Sequence, residues 1–437
     1  MRKVTHSALA VCAAVGLQVI FAGRAGAAVG DVSREWLTVR RCPASERAPS
    51  IDGSLDDECW DQGVRTGAFV TPQDEPTKLW TAARIAHDGQ TLYVGVECRE
   101  PQPGQLFTEH IERDSDVYLD DCVEVFLDTD LDFRTYYHFV VNAANVQRDE
   151  SRAMGGKTPK DVAWNARWRS AVAIGDRGWS VELAIPFSEV GLELDGDTAV
   201  GLNICRSAPR IDELSCWVPT HGGFHNPHRN ATVLLGRRRQ CPRLNLEIPS
   251  VGELLPDGRN EIEIRIDNRE ASRLTLQGEL RVGSNEGLWR KDVPLGELAP
   301  GESMQRTAQY RISGSGASSL CLLVREATTG SLVAARTLTF TVPILLARDF
   351  GSRLPGPDYC HTWWARSLYK ISPDKPVPER EERFAGLECA RNEYESLQLV
   401  LRPDEKLRHV RVRLTPLRGP TGAIGEHALD LYRVEYV

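Results

Sequence analysis

DSDVYLDDCVEVFLDTD, residues Asp114 to Asp130, holds the pattern from which the rest of the chain is read. Within it, Cys122 to Asp128 alternates an apolar set, Val123, Val125 and Leu127, with Cys122, Glu124 and Phe126. That period of two, rich in β-branched residues, predicts a strand with one face in a core. A carboxylate in the middle of a buried strand is costly unless it is partnered. Glu124 is therefore expected either to be paired or to stand on a sheet face open to a ligand. Tyr118, just upstream, places an aromatic ring at the mouth of the strand.

Outward from this stretch the chain repeats strand, turn, strand. Ile51-Asp52-Gly53 is a turn leading to Leu55 and Trp60, where a short helix can begin. Trp80–Ile85 and Leu92–Cys98 read as a hairpin around His87-Asp88-Gly89-Gln90. Tyr136–Asn142 is a further strand, followed by a polar loop running through Gly155-Gly156. Trp164–Ile174 and Gly178–Ile185 pair around Gly175-Asp176-Arg177, and Pro186, which has no ladder N–H, closes the second. Gly201–Arg206, Ser215–Val218 and Ala231–Leu235 complete a set of short strands of the kind that builds a β-sandwich.

The fold class predicted is all-β: tandem β-sandwiches in three pieces. Residues 36–238 form a jelly-roll-like sandwich. The basic run Arg237-Arg238-Arg239-Gln240-Cys241-Pro242 is a solvated connector. Residues 243–344 have the size of an immunoglobulin-like sandwich, with clean alternation over Glu261–Ile266, and serve as a spacer. Residues 345–437 give strand patterns at Arg391–Leu401 and His409–Leu414 and stop straight after another, which predicts a partial domain continued in a longer protein.

The 437 residues carry a net charge of -8 with both signs interspersed, which argues against a nucleic-acid footprint. Arg2 and Lys3, the apolar run Val4–Ala22 and the small-residue motif Ala25-Gly26-Ala27 read as a secretory signal peptide over residues 1–27. His6 and Gln18 break that run, so a membrane anchor fits it less well. The expectation is a secreted chain, extracellular or periplasmic, with no membrane insertion. Of eleven cysteines, ten remain once Cys12 leaves, and an even number permits disulfides. Cys98 with Cys122, and Cys205 with Cys216, are candidate neighbours; buried free thiols are the alternative. No CxxC pair suggests zinc.

Glu124, Asp120, Asp121 and Asp128 are local candidates for the paired carboxylates of a glycosidase. They lack the strand-end βα setting of a barrel enzyme. Asp128-Thr129-Asp130-Leu131-Asp132 begins like a calcium loop, but Phe133 and Phe139 stand where an EF-hand needs glycine and a bidentate acid. Asp128, Asp130 and Asp132 remain candidate ligands for a structural calcium, against a solvated acidic turn. No other cofactor is predicted, since no GxSxG, Walker, Rossmann or HExxH pattern occurs. The loop HGGFHNPH sets His221, His225 and His228 around Phe224, an apolar ring able to stack on a flat ligand or a sugar C–H face.

From about Trp36 to Gly236 the chain resembles the family 9 carbohydrate-binding modules, also described as DOMON-like sandwiches. Six motifs in order carry the likeness: IDGSLDDECW (Ile51–Trp60), LYVGVEC (Leu92–Cys98), DDCVEVFLD (Asp120–Asp128), HFVVNA (His138–Ala143), GWSVELAIPF (Gly178–Phe187) and GLNICR (Gly201–Arg206). The resemblance implies two aromatic residues sandwiching a sugar, at Tyr118 and Phe224, where a member of the family uses tryptophans. It implies Glu124 as the strand carboxylate that bonds sugar hydroxyls, with His138 and Asn142 helping to orient them. A family arginine on the HFVVNA strand is replaced by Val140. Less specifically, Gly386–Val437 resembles the opening sandwich of glycoside hydrolases related to family 123, through ARNEYESLQLVL.

Together these imply a secreted, non-catalytic, glycan-targeting region of a glycoside hydrolase, with a polysaccharide or glycan as its partner. The alternatives are a glycosidase acting on O-glycosyl bonds, a DOMON-like haem or redox module using Met154 or Met304, and a purely structural module.

Overall fold

The computed structural model describes residues 15–21, 34–153, 161, 163–194, 196–236, 243–252, 254 and 260–342. In the last segment it describes 351–367, 369, 371, 377–378, 380–385, 395–404, 410–411, 416–419, 422–424 and 429–434. The connector 237–242 and Met154 lie outside the described residues. The described residues are nearly all β, in several separate sheets, and Val32–Val342 is built as tandem β-sandwiches.

The first sandwich has a seven-stranded sheet whose path is Val39–Pro43, Ala231–Gly236, Thr198–Ala208, Cys122–Asp128, Thr135–Asn142 and Gln147–Ala153. Glu213–Cys216 also pairs with Thr198–Ala208. Its five-stranded partner runs Arg169–Gly175, Gly178–Pro186, Thr91–Arg99, Thr81–His87, Val64–Arg65. Val123, Val125 and Leu127 point into the core with Phe139, Val141, Leu202 and Ile204, against Val94, Val96, Val181, Leu183 and Ile185. Each such side chain contributes about 1.5–3 kcal/mol by leaving water. The alternate set, Cys122, Glu124 and Phe126, is thereby fixed on the outer face of the larger sheet.

Two motifs are explained by packing alone. Glu182, fully buried, accepts from Asp52 N (2.9 Å), Gly53 N (2.8 Å) and Trp60 Nε1 (3.1 Å). The turn and the Trp60 of the four-residue helix Cys59–Gln62 are thus pinned to the sheet. Gly53 is obligatory there: its φ is 90° and a Cβ would lie 2.6 Å from Ala173 N.

The sequence expectation of a loop after Asn142 is corrected. Gln147–Ala153 is a strand, paired antiparallel with Thr135–Asn142. Its sequence QRDESRA has no apolar alternation, because it carries charges on both faces. Toward Trp164 the expected strand is shorter, starting at Arg169.

The second sandwich sets a three-stranded sheet (Leu244–Ser250, Asn260–Asn268, Ser303–Tyr310) against a larger one (Gly287–Leu298, Leu274–Ser284, Gly316–Glu326, Leu332–Val342), which Arg34–Trp36 joins at its edge. Ile262, Ile264 and Ile266 are buried and their neighbours on the strand are more exposed, as alternation demands. Both sandwiches belong to one compact unit, Val32–Val342. Leu131, Phe133, Ala199 and Leu234 of the first pack with Cys321, Leu323, Leu332 and Ala335 of the second. Arg281 Nη1 donates to Asp130 O (2.6 Å), and Thr232 Oγ1 lies 2.6 Å from Thr337 Oγ1.

The other compact unit takes residues 1–31 and 343–437. Its sheet order is Gly351–Leu354, Cys360–Arg366, Glu395–Pro403, Val15–Phe21, Leu429–Val434. Val15–Phe21, part of the expected signal segment, pairs in parallel with both of its neighbours. A short apolar run with β-branched residues suits a strand as well as a signal core.

Candidate functional site

Register fixes what shares the outer face of the seven-stranded sheet. Glu124 stands opposite Val140, which stands opposite Arg148; Phe126 stands opposite His138, which stands opposite Glu150. On the other side Cys205 faces Glu124. Successive rows two residues apart lie on one face. The result is a polar patch of Glu124, His138, Arg148, Glu150 and Arg152 in the floor of the sheet.

Two caps border the patch. At the Cys122 end, the turn Val117–Leu119 packs Val117 against Cys122 and Val140 and leaves Tyr118 38% exposed. The Arg148 guanidinium lies 5.2 Å from the Tyr118 ring centroid. At the Phe126 end, Phe224 packs with Phe126, Tyr136, Cys205 and Cys216. Phe224 is 7% exposed, so the ring expected as a free stacking face is a packed wall. Tyr118 and Phe224 therefore border the same face, on either side of Glu124, but only Tyr118 offers an open ring.

His138 organises the floor. Its Nε2 lies 2.7 Å from Glu124 Oε2 and its Nδ1 3.0 Å from Glu150 Oε1. The ring stacks on Phe126 (centroids 4.4 Å, 15°), and His225 meets it edge-on at 5.0 Å. Burial disfavours a charged His138, yet the hydrogen bonds to the two carboxylates outweigh it and raise the ring above its usual 6.5. Glu150 is buried too, but His138 and Arg152 hold its carboxyl far below the ordinary range. Arg148 also reaches Glu150, at 3.4 Å, and donates to Asp114 O and Ser115 O. Glu124 is 5% exposed, and among the described residues only His138 bonds it, through Oε2. Its second oxygen is the acceptor available to a ligand.

The remaining expected site residues have other work. Asn142 has no capacity left: its Oδ1 accepts from Ala144 N and Val146 N, and its Nδ2 donates to His110 O and Asp120 Oδ2. It cannot orient a ligand without breaking that turn. Asp120 accepts from Glu109 N and His110 N, and Asp121 from Phe107 N, so both tie down the 106–110 loop. His138 has both nitrogens engaged by carboxylates, so in this arrangement it holds Glu124 in place.

Among the described residues two sets could hold a cation by proximity: Asp128, Asp130 and Asp132, and His138, Glu150 and His225. The first set fits poorly. Asp128 accepts from Asp130 N, Asp132 N and Phe133 N, and Asp132 from Arg134 N, Thr135 N and Thr135 Oγ1. Arg281 and Arg290 approach Asp130, so the acidic turn docks on the second sandwich. In the second set Glu150 already neutralises arginine and histidine, which leaves little charge for a metal.

The sequence reading missed Glu150, Arg148 and Arg152, and named His225 only among the loop histidines. The signal for the first three is the period-two charge pattern R-D-E-S-R from Arg148 to Arg152. Arg148 stands opposite Val140 and brings a guanidinium to that face from the neighbouring strand.

Residues 51–235 match the family model "Carbohydrate family 9 binding domain-like". Over this stretch the chain is similar to family 9 carbohydrate-binding domains. The matched stretch includes every residue of the bordered sheet face, from Tyr118 to Phe224. The chain is 28% identical over 158 residues to the exoglucanase XynX of Acetivibrio thermocellus, covering 36% of this chain and 13% of that protein's length. Two structures of a family 9 carbohydrate-binding module from Caldicellulosiruptor kristjanssonii, with cellotriose and with glucose, are 21% identical with TM-scores of 0.35. Each covers 46% of this chain, and 95% and 97% of its own. The family match ends before the segment resembling family 123 hydrolases, which remains an expectation.

Proposed function

We propose that the family 9 domain binds carbohydrate on the outer face of its seven-stranded sheet, without cleaving it. The observation that carries this is Glu124, held by His138 between an open tyrosine cap and a packed aromatic wall. Tyr118 stacks on a pyranose C–H face. Glu124 accepts from the sugar hydroxyls, and Phe224 with His225 bounds the far side. Glu150 is kept ionised by its cationic neighbours, which suits an anchoring anion and not a general acid.

A shallow site of this kind gives modest affinity, which tethering to an enzyme multiplies by raising effective concentration. We therefore place the chain as a secreted targeting region of a glycoside hydrolase, with residues 1–27 as its signal. The test is retention on a panel of immobilised polysaccharides by the Val32–Val342 unit. This unit is preferable to a cut after the first sandwich, because Arg34–Trp36 is a strand of the second. Retention of at least one glycan, competed by soluble oligosaccharide, is expected.

A further inference from the structure

Cys205 and Cys216 face each other across the antiparallel ladder between Thr198–Ala208 and Glu213–Cys216. The next pair is joined by a hydrogen bond, Trp217 N to Ile204 O at 2.8 Å. The Cys216 N–H points the other way, to Val70 O at 2.8 Å. Bonded and non-bonded pairs alternate along such a ladder, so Cys205 and Cys216 form a non-hydrogen-bonded pair. In that geometry Cα atoms sit about 4.5 Å apart with side chains closer. A disulfide accommodates Cα separations of roughly 4.4–6.8 Å.

Both thiols are fully buried and share one apolar cluster with Phe126, Tyr136 and Phe224. Cys122 is the nearest rival on this face, opposite Ser207 and so two residues along from Cys205. Diagonal neighbours are about 7–8 Å apart, too far for a bond without backbone movement. Cys98 lies in the core, and Cys59 and Cys321 in separate clusters.

We propose that Cys205 and Cys216 are an oxidisable pair that closes into a cross-strand disulfide beneath the Phe224 loop. With oxidised glutathione as donor, one protein thiolate attacks a glutathione sulfur and releases one glutathione thiolate. The second protein thiolate then attacks the protein sulfur of the mixed disulfide and expels the other glutathione. One S–S bond breaks and one forms, and the two protein S–H protons end on two reduced glutathione molecules. Burial raises the Cys216 thiol to about 12 and Cys205 well above its usual 9, so few thiolates exist once the sheet has closed. The bond therefore forms during folding. It ties the strand leading into the Phe224 loop to the strand that faces Glu124.

The test is to refold the full chain with oxidised and reduced glutathione, alkylate free thiols, and map peptides by non-reducing mass spectrometry. The expected result is a Cys205–Cys216 linked peptide and a melting midpoint that falls by several degrees on adding reductant. The double variant Cys205→Ser, Cys216→Ser should lose that reductant sensitivity. Complete alkylation of both residues after oxidation, or a Cys122–Cys205 link, overturns the proposal. Mapping the unsubstituted chain decides the matter even if the variant does not fold.

Discussion

His138 Nε2 stands 2.7 Å from Glu124 Oε2 on the outer sheet face, and the same ring reaches Glu150 from its other nitrogen. A buried histidine ring held by two carboxylates fixes the rotamer of Glu124, whose other oxygen stays available. The folded value of His138 is raised above 6.5, so its stabilisation is complete below that pH and lost as pH rises through the raised value. An NMR titration should place its midpoint above 6.5, with glycan affinity weakening through the same step. His138→Gln should remove the step and weaken binding about tenfold, or ~1.4 kcal/mol.

His228 predicts the opposite pH response. Burial lowers it to about 4, although the neighbouring Asn285 side chain and the charge of Asp132 act the other way. Stability is then present above 6.5 and lost as pH falls toward 4, by on the order of 3 kcal/mol in the limit. Urea denaturation of the Val32–Val342 unit between pH 7 and 4 should show this slope, and His228→Gln should flatten it.

Glu182 is the buried carboxylate that the fold uses and the ligand does not. Replacing it with Gln turns one oxygen into an amide donor facing the N–H groups of Asp52 and Gly53. Glu182→Gln should cost about 2–3 kcal/mol of stability, read as a fall in thermal midpoint.

The packing of the two sandwiches depends on Gly283. A Cβ there would lie 2.4 Å from Asp132 O and 2.6 Å from the Phe133 ring. Gly283→Ala should destabilise the unit by roughly 1–3 kcal/mol. Gly287→Ala, with open space at its Cβ, should leave the midpoint within experimental error.

Most of this fold was legible because its strands alternate. Val123, Val125 and Leu127 are apolar for the core, and Glu124 falls on the other face by parity alone. Six ordered motifs then placed the first sandwich. What escaped was the strand Gln147–Ala153, because pattern reading looks for apolar periodicity and this strand's charges serve the site. Asn142 misled for a related reason. A polar residue at a strand end reads as a ligand-binding group, yet here it is the turn's own hydrogen-bonding hub. The exposure of Phe224 could not be read from its polar neighbours, since Tyr136, Cys205 and Cys216, distant in sequence, supply its packing.

The most direct measurement is glycan binding by the Val32–Val342 unit, quantified by calorimetry or affinity electrophoresis, for wild type, Tyr118→Ala and Glu124→Ala. Tyr118 is exposed, so its loss should leave the melting midpoint nearly unchanged and weaken binding tenfold or more. Glu124→Ala should do the same to affinity, with a measurable loss of stability because it leaves His138 Nε2 buried without its partner. Phe224→Ala should chiefly lower stability, as the loss of a packed ring does. If wild type retains no glycan, or if the Tyr118 and Glu124 variants bind as tightly as wild type, the bordered sheet face is not the binding site.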